Sequence, residues 1–96
     1  MDEQKDPKLM EKLKEVIDPE LGENLVDMGL IKSASLDKSG NATVEFIPSS
    51  PVCPIAFYLA SQIKKKTLEA EGVRAAKVYC RGHAMEETIN KQVNQP

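Results

Sequence analysis

The sequence predicts a two-layer α/β domain, of the α+β kind, in which helices cover one face of a small mixed sheet. Segments with helical periodicity and segments with strand-like alternation follow one another in the order α-β-β-α-β, with a short helix at the end. The 96 residues suffice for one hydrophobic core. We therefore predict a single domain over residues 1–96, with its core at about 7–80.

The first three elements are expected before residue 48. Apolar residues at helical spacing predict a helix over 7–17, which ends there because Pro19 disfavours helical geometry in the residue before it. Strands are expected at 30–36 and 42–47, the second with clear alternation of apolar and polar side chains. The Gly–Asn pair between them suits a hairpin connection, which needs positive φ.

The remaining elements follow a stretch rich in serine and proline. A second helix is expected to begin at Pro51 or Pro54, because proline is tolerated in a first helical turn, and Gly72 is placed to end it. A third strand is predicted at 73–80. Residues 85–93 are expected to form a short terminal helix.

Charge and hydropathy argue against two classes of partner. The formal net charge is −2, whereas binding to nucleic acid phosphates needs a basic excess. No apolar stretch approaches the ~18 residues of a membrane span, and the N-terminus lacks a signal-peptide pattern. We therefore expect a cytoplasmic protein, with no nucleic acid or membrane partner, in which Cys53 and Cys80 stay reduced.

The stretch SSPVCPIA at 49–56 places a thiol between two prolines at the expected start of the second helix. With either Ser50 or Cys53 as the N-cap, Cys53 lies at a helix N-terminus, where the helix dipole favours a thiolate. A thiolate attacks electrophiles and binds soft metals. The simpler alternative is that Cys53 is a small packing residue. Cys80 alternates with apolar residues in a strand, and we interpret it as packing.

An acidic loop forms a second group of candidate residues. Asp18 and Glu20 flank a proline at the end of the first helix, where solvated acids at a helix stop are the simpler interpretation. Asp27 lies in an apolar run and needs a polar partner if it is buried, and Gly29 provides a bend or a close backbone approach. His83, in a glycine-flanked loop, is interpreted as a surface residue and is assigned no role.

Two motifs resemble signatures of the MIP18-like family, also called the DUF59 domain. They are VIDPELGENLVDMGLI at 16–31 and VEFIPSSPVCPI at 44–55, and GVRAAKVY at 72–79 adds to the match. The resemblance covers about residues 8–80. It implies the fold of iron–sulfur assembly domains and a role in iron–sulfur protein maturation, as in SufT-like and PaaD-like proteins.

The family motifs imply a set of site residues. Cys53 would be the reactive or cluster-contacting thiol, and Asp18 and Glu20 would shape the rim of the site or a partner surface. The full set carried over by motif is Asp18, Pro19, Glu20, Asp27, Gly29, Ser49, Ser50, Cys53 and Pro54. A serine stands where the family often has threonine. The segment CRGHAMEETINKQVNQP replaces the Pro-Pro-Trp type segment of many relatives.

The resemblance leaves several mechanisms open, because one cysteine cannot supply the four ligands that a cluster normally takes. We place first an adaptor for iron–sulfur assembly proteins and apo client proteins, with transient contact between Cys53 and a cluster. A cluster bridged by Cys53 from two subunits comes second, and a homodimer is compatible with both arrangements. The alternatives are a thiol enzyme for persulfide or thiol transfer, with Cys53 as nucleophile, and a non-catalytic interaction module.

Overall fold

The fold is seen in a computed structural model, which describes residues 5–19, 21–48 and 50–94. Within these residues three helices and three strands follow one another in the predicted order. They are α1 (Pro7–Leu13), β1 (Ile31–Leu36), β2 (Asn41–Phe46), α2 (Ala56–Glu69), β3 (Ala75–Cys80) and α3 (Glu86–Val93). The predicted class, a small mixed sheet with helices packed on it, is confirmed.

The sheet has the order β1-β2-β3, with β2 in the centre. β1 runs antiparallel to β2, and β3 runs parallel to it, from Asn41 opposite Ala75 to Phe46 opposite Cys80. Alternate side chains of β2 are buried, among them Val44 and Phe46, whereas the side chains between them stay partly exposed. The sheet therefore has one core face and one face open to solvent.

The helices bury their apolar stripes in the same core. Leu9 and Leu13 of α1 and Leu59 and Ile63 of α2 are fully buried at a spacing of four residues. Burying one such side chain contributes about 1.5–3 kcal/mol to folding, so these contacts account for much of the driving force. No helix in the described ranges is long and apolar enough to span a membrane.

A close backbone contact joins the hairpin to the start of β3. Gly40, with φ of 90°, accepts a hydrogen bond at its carbonyl from the Arg74 N–H at 2.7 Å. A Cβ at this position would lie 2.8 Å from Arg74 Cγ and 3.0 Å from the carbonyl oxygen of Gly72. The position therefore requires glycine, and the contact aligns β3 beside β2.

The predicted bounds of α1 and α2 are wrong at three points. α1 ends at Leu13 rather than at 17, because the chain turns into an isolated antiparallel bridge between Ile17 and Asn24. α2 begins at Ala56, after both prolines, since residues 50–55 form separate turns. It also ends at Glu69, before Gly72.

Asn90 of α3 and Asn94, the residue directly after α3, cover the outer edge of β3. The side chain of Asn94 accepts from the Val78 N–H and donates to the Val78 carbonyl, both at 2.9 Å. Asn90 does the same for Cys80, at 2.6 and 3.2 Å. Each amide thus satisfies the two backbone groups that a neighbouring strand would otherwise pair with, and this protects an edge strand from unwanted pairing.

Replacing Asn90 by alanine should destabilise the fold, because the Cys80 N–H and carbonyl lose their partners in a partly buried place. We expect the free energy of unfolding, measured by urea titration, to fall by about 1–3 kcal/mol. Lys91→Ala, at an exposed position of the same helix, is the control and should change it by less than about 0.5 kcal/mol. Equal losses in the two variants would contradict a role of the amide pair.

Candidate functional site

Cys53 lies in a loop of tight turns between β2 and α2, residues 50–55, which we call the cysteine loop. The Val52 N–H donates to Ser50 Oγ at 3.2 Å, and the Cys53 N–H donates to the Ser50 carbonyl at 3.1 Å. The Ala56 N–H donates to the Cys53 carbonyl at 3.3 Å. Local hydrogen bonds, together with the fixed φ of Pro51 and Pro54, therefore shape the loop before the helix begins.

A second loop, residues 81–85, lies against the cysteine loop and contains His83. The Met85 N–H donates to His83 Nδ1 at 3.0 Å, so the proton of a neutral ring is on Nε2. His83 Nε2 then donates to the Cys53 carbonyl at 3.0 Å. The Ala84 N–H also donates to the Pro51 carbonyl, at 2.8 Å. Two hydrogen bonds thus tie the cysteine loop to the His83 loop.

The His83 loop is itself held at its start by ion pairs and hydrogen bonds. Arg81 Nε donates to Glu45 Oε2 of β2 at 2.9 Å, and this contact lowers the pKa of Glu45. The Gly82 N–H donates to Glu86 Oε1 at 2.9 Å. The loop that carries His83 is therefore anchored to both β2 and α3.

The two loops and the helices beside them enclose an open pocket of about 300 Å³, which we call the Cys53 pocket. Its walls are largely apolar, and their members include Val52, Cys53, Pro54, Phe57, His83, Met85 and Ile89. Cys53 is 5% exposed, whereas Val52 is 72% exposed. Cys53 is therefore a buried residue that lines the pocket and also belongs to the hydrophobic core.

The sequence indicated that Cys53 lies at the N-terminus of α2, but the structure places it before the helix. The helix begins three residues later, and neither Ser50 nor Cys53 is its N-cap; the N-cap position is Ile55, and no side chain caps it. The predicted helix N-terminal environment of the thiol is wrong in this respect. Cys53 instead lines the largely apolar pocket and belongs to the hydrophobic core.

Cys80 is a packing residue, as expected. It is fully buried in β3 opposite Phe46. Burial, with smaller contributions from Glu86 and Cys53, raises the pKa of Cys80 to about 11. Its sulfur therefore stays a protonated thiol at neutral pH and is a poor nucleophile.

The two aspartates of the candidate set have environments opposite to the expected ones. Asp18 is 1% exposed, and its carbonyl accepts from the Gly22 N–H at 2.7 Å, which closes the acidic loop. Asp27, expected to be the buried acid, is exposed, and its carboxylate accepts from Asn24 Nδ2 at 2.8 Å. The apolar run around Asp27 did not indicate burial of its side chain, because the chain forms turns there.

The candidate residues do not all gather at one place. Cys53 and Pro54 line the Cys53 pocket, and Ser50 shapes its loop. Asp18, Pro19, Asp27 and Gly29 belong to the segment between α1 and β1 and do not line it. Gly29 has φ of 76°, in keeping with the expected bend. Glu20 and Ser49 lie outside the described residues.

His83 is the residue that the sequence interpretation missed. The order of the elements could have indicated its position, because a mixed sheet allows β2 and β3 to be parallel neighbours, as they are. The segments that follow two parallel strands leave the sheet at the same end of the strands. The cysteine loop follows β2 and the His83 loop follows β3. Two loops in these positions are expected to meet, as they do here.

Comparisons with known proteins give a consistent result. A family model described as "Iron-sulfur cluster assembly protein" matches residues 7–78. An uncharacterized protein of Methanocaldococcus jannaschii is 39% identical over 83 residues, which cover 86% of this chain and 87% of that protein. The "Fe-S protein maturation auxiliary factor YitW" of Bacillus subtilis is 29% identical over 79 residues, 82% of this chain and 78% of that protein.

A solved structure agrees with these matches. The crystal structure of a domain of unknown function, DUF59, from Bacillus anthracis superposes with a TM-score of 0.73 at 29% identity. The match covers 90% of this chain and 84% of that chain. The DUF59 resemblance of the sequence motifs is confirmed.

If His83 holds the cysteine loop, its removal should expose Cys53. We expect iodoacetamide to alkylate Cys53 about fivefold faster in His83→Ala, which corresponds to the loss of one hydrogen bond of about 1 kcal/mol from the closed loop. His83→Gln keeps an N–H donor near the position of Nε2 and should react at a rate closer to that of the wild type.

Peptide mapping by mass spectrometry would follow both cysteines in the same sample. Cys80 serves as an internal control, since it should stay slow in all three proteins as long as the fold is intact. A Cys53 rate that is unchanged in His83→Ala would contradict the positioning role. A parallel rise at Cys80 would show global unfolding instead.

The reversed environments of the two aspartates predict unequal costs. Asp18→Ala should lower the free energy of unfolding by about 1–3 kcal/mol, because it removes a buried polar side chain from the acidic loop. Asp27→Ala removes an exposed one and should cost about 0.5 kcal/mol. Urea titration of both variants measures the difference, and an equal cost would contradict the assignment.

Proposed function

The chain belongs to the iron–sulfur cluster assembly protein family, which includes the DUF59 domains, and from this premise we propose that it is an adaptor in iron–sulfur protein maturation. In this proposal it acts in the cytoplasm, brings iron–sulfur assembly proteins and apo clients together, and uses Cys53 transiently. The name of the Bacillus subtilis relative, a maturation auxiliary factor, supports the general role.

The contrast between the two cysteines carries the proposal. Cys53 lies in the wall of an open apolar pocket, next to side chains that a partner can reach. Cys80 lies in the core with a pKa of about 11. We infer from this contrast that Cys53, and not Cys80, is the thiol that contacts a partner protein.

A resident cluster does not fit the residues of a single chain. A cluster normally takes four protein ligands, and Cys53 is the sole cysteine of the pocket wall. Across the described ranges there is no group of three or more His, Cys, Asp or Glu side chains that could hold a metal ion. In the proposal a cluster is therefore cargo, held mainly by ligands of the donor or the client.

The residues of the site have separate tasks in such a transfer. The apolar side chains around the pocket would seat a partner and exclude water from the contact. The two hydrogen bonds from the His83 loop would keep Cys53 at a fixed place in the wall. Cys53 would lose its proton to solvent, bind one iron as a donor ligand leaves, and then be replaced by a client thiolate. This exchange needs no oxidant or reductant.

The thiol-enzyme alternative is less well supported by the geometry. A nucleophilic cysteine usually has a base in contact with its sulfur. Both ring nitrogens of His83 contact the main chain instead, at Met85 and at Cys53. Cys80 is a poor resolving thiol because its pKa is raised.

Cys53→Ser should abolish the help that the chain gives to cluster delivery. The assay follows activation of an apo-dehydratase by a scaffold protein loaded with a [4Fe–4S] cluster, under anaerobic conditions. We expect wild type and Cys80→Ser to accelerate activation, and Cys53→Ser to leave it at the rate without the chain. Cys53→Ala serves as a second variant, and because Cys53 is buried, both Cys53 variants should lose about 1–3 kcal/mol of stability yet remain folded.

Two results would change this assignment. Full acceleration by Cys53→Ser would contradict the thiol role and favour a plain interaction module. A second experiment distinguishes the adaptor from a cluster shared between two subunits. The protein alone is reconstituted with iron and sulfide, and its visible absorbance and its mass under native conditions are measured. A chromophore with a dimer mass, lost in Cys53→Ser alone, would favour a cluster shared between two subunits over the adaptor.

A further inference from the structure

A groove between α2 and α3 continues from the Cys53 pocket along the protein surface. A second hollow of about 390 Å³ adjoins the pocket, and Phe57 lines both of them. In the second hollow α2 contributes Ser61, Lys64, Lys65 and Leu68, which with Phe57 form one stripe of the helix. α3 contributes the opposite wall, with Gln92 and Val93. We call the two hollows together the α2–α3 groove.

Large apolar side chains are exposed along the groove. Met85 is 57% exposed, Leu68 43% and Phe57 42%, and Val52 stands at the Cys53 end. Single exposed apolar residues are common on protein surfaces, but several along one groove indicate a binding surface.

The charged residues found along the groove are both lysines. Lys64 and Lys65 line its far end, and none of the aspartates or glutamates that the structure describes lines either hollow. The chain as a whole has a net charge of −2, so the positive charge at this end of the groove is opposite in sign to the net charge of the protein. Lys64 Nζ donates to the Val93 carbonyl at 2.7 Å, which holds one of the two ammonium groups beside the end of α3.

From this arrangement we propose that the α2–α3 groove binds a segment of a partner protein that is apolar at one end and acidic at the other. The apolar side chains would lie against Phe57, beside Cys53, and an aspartate or glutamate would lie at Lys64 and Lys65. The inference rests on the proposed adaptor function, and it names the chemistry by which the adaptor selects its partner.

The distance between Phe57 and Lys65 along α2 determines how far apart the apolar residue and the acid should be in such a segment. Phe57 and Lys65 are eight residues apart, which is about 12 Å along a helix. An extended peptide rises about 3.3 Å per residue, so the acid should follow or precede the apolar anchor by about four residues. A partner helix would need about eight residues for the same distance.

A random peptide library tests the proposal without knowledge of the partner. Phage that display 12-residue peptides are selected on the immobilised full chain. We expect the enriched peptides to combine apolar residues with an acid at the predicted spacing. A selected peptide, made with a fluorescent label, should bind the wild-type chain in fluorescence anisotropy.

Variants of the groove then decide whether the peptide lies in it. Lys65→Glu and Phe57→Ala should each weaken binding about tenfold, whereas Lys77→Glu makes the same change of charge at an exposed position of β3 and should not weaken it. Circular dichroism of each variant checks that the fold is retained.

The possible results separate this inference from the proposed function. No enrichment over the starting library, enrichment of basic peptides, or equal affinity for Lys65→Glu and wild type would overturn the inference. Because the binding assay uses no cluster and no variant of Cys53, it can succeed even if the thiol has no role in maturation. Failure of the delivery assay alone would therefore leave the groove assignment standing.

Discussion

The parallel pairing of β2 with β3 is the constraint on which the candidate site depends. Because the two strands run the same way, the loops after Phe46 and after Cys80 leave the sheet at the same edge and meet there. An antiparallel β3 would carry its following loop to the opposite edge. The contact of the hairpin with the start of β3, through Gly40, secures this pairing at the other end of the strands.

The site combines a part of the chain that the family model matches with a part that lies beyond the matched residues. The cysteine loop and α2 lie within residues 7–78, which the family model matches. The His83 loop and α3 lie beyond that range, yet they provide one wall of the Cys53 pocket and the hydrogen bond to the Cys53 carbonyl. The shared part thus supplies the thiol, and the C-terminal part shapes the access to it.

The fold class could be predicted from the sequence, because α1, α2 and β2 each carry apolar residues at regular spacing on the face that they bury in the common core. It did not allow the ends of the helices to be predicted, since long-range contacts such as the Ile17–Asn24 bridge determine where a helix stops. Cys53 became a candidate through its proline neighbours and the family motif, and the structure places it in the wall of a pocket. The burial of Asp18 and the contact of His83 depend on how loops pack, which no local pattern records.

The two asparagines beside β3 have a consequence for how a protein of this kind can diversify. Asn90 and Asn94 bind main-chain atoms of β3, which are the same whatever side chains the strand carries. These two amide contacts are made by positions that do not line the groove, whereas the exposed residues Met85, Thr88 and Gln92 do line it. Substitutions at the three exposed positions would alter which partner is accepted while both amide contacts stay in place. Attachment to the strand edge and choice of partner can thus evolve at different positions of one short segment.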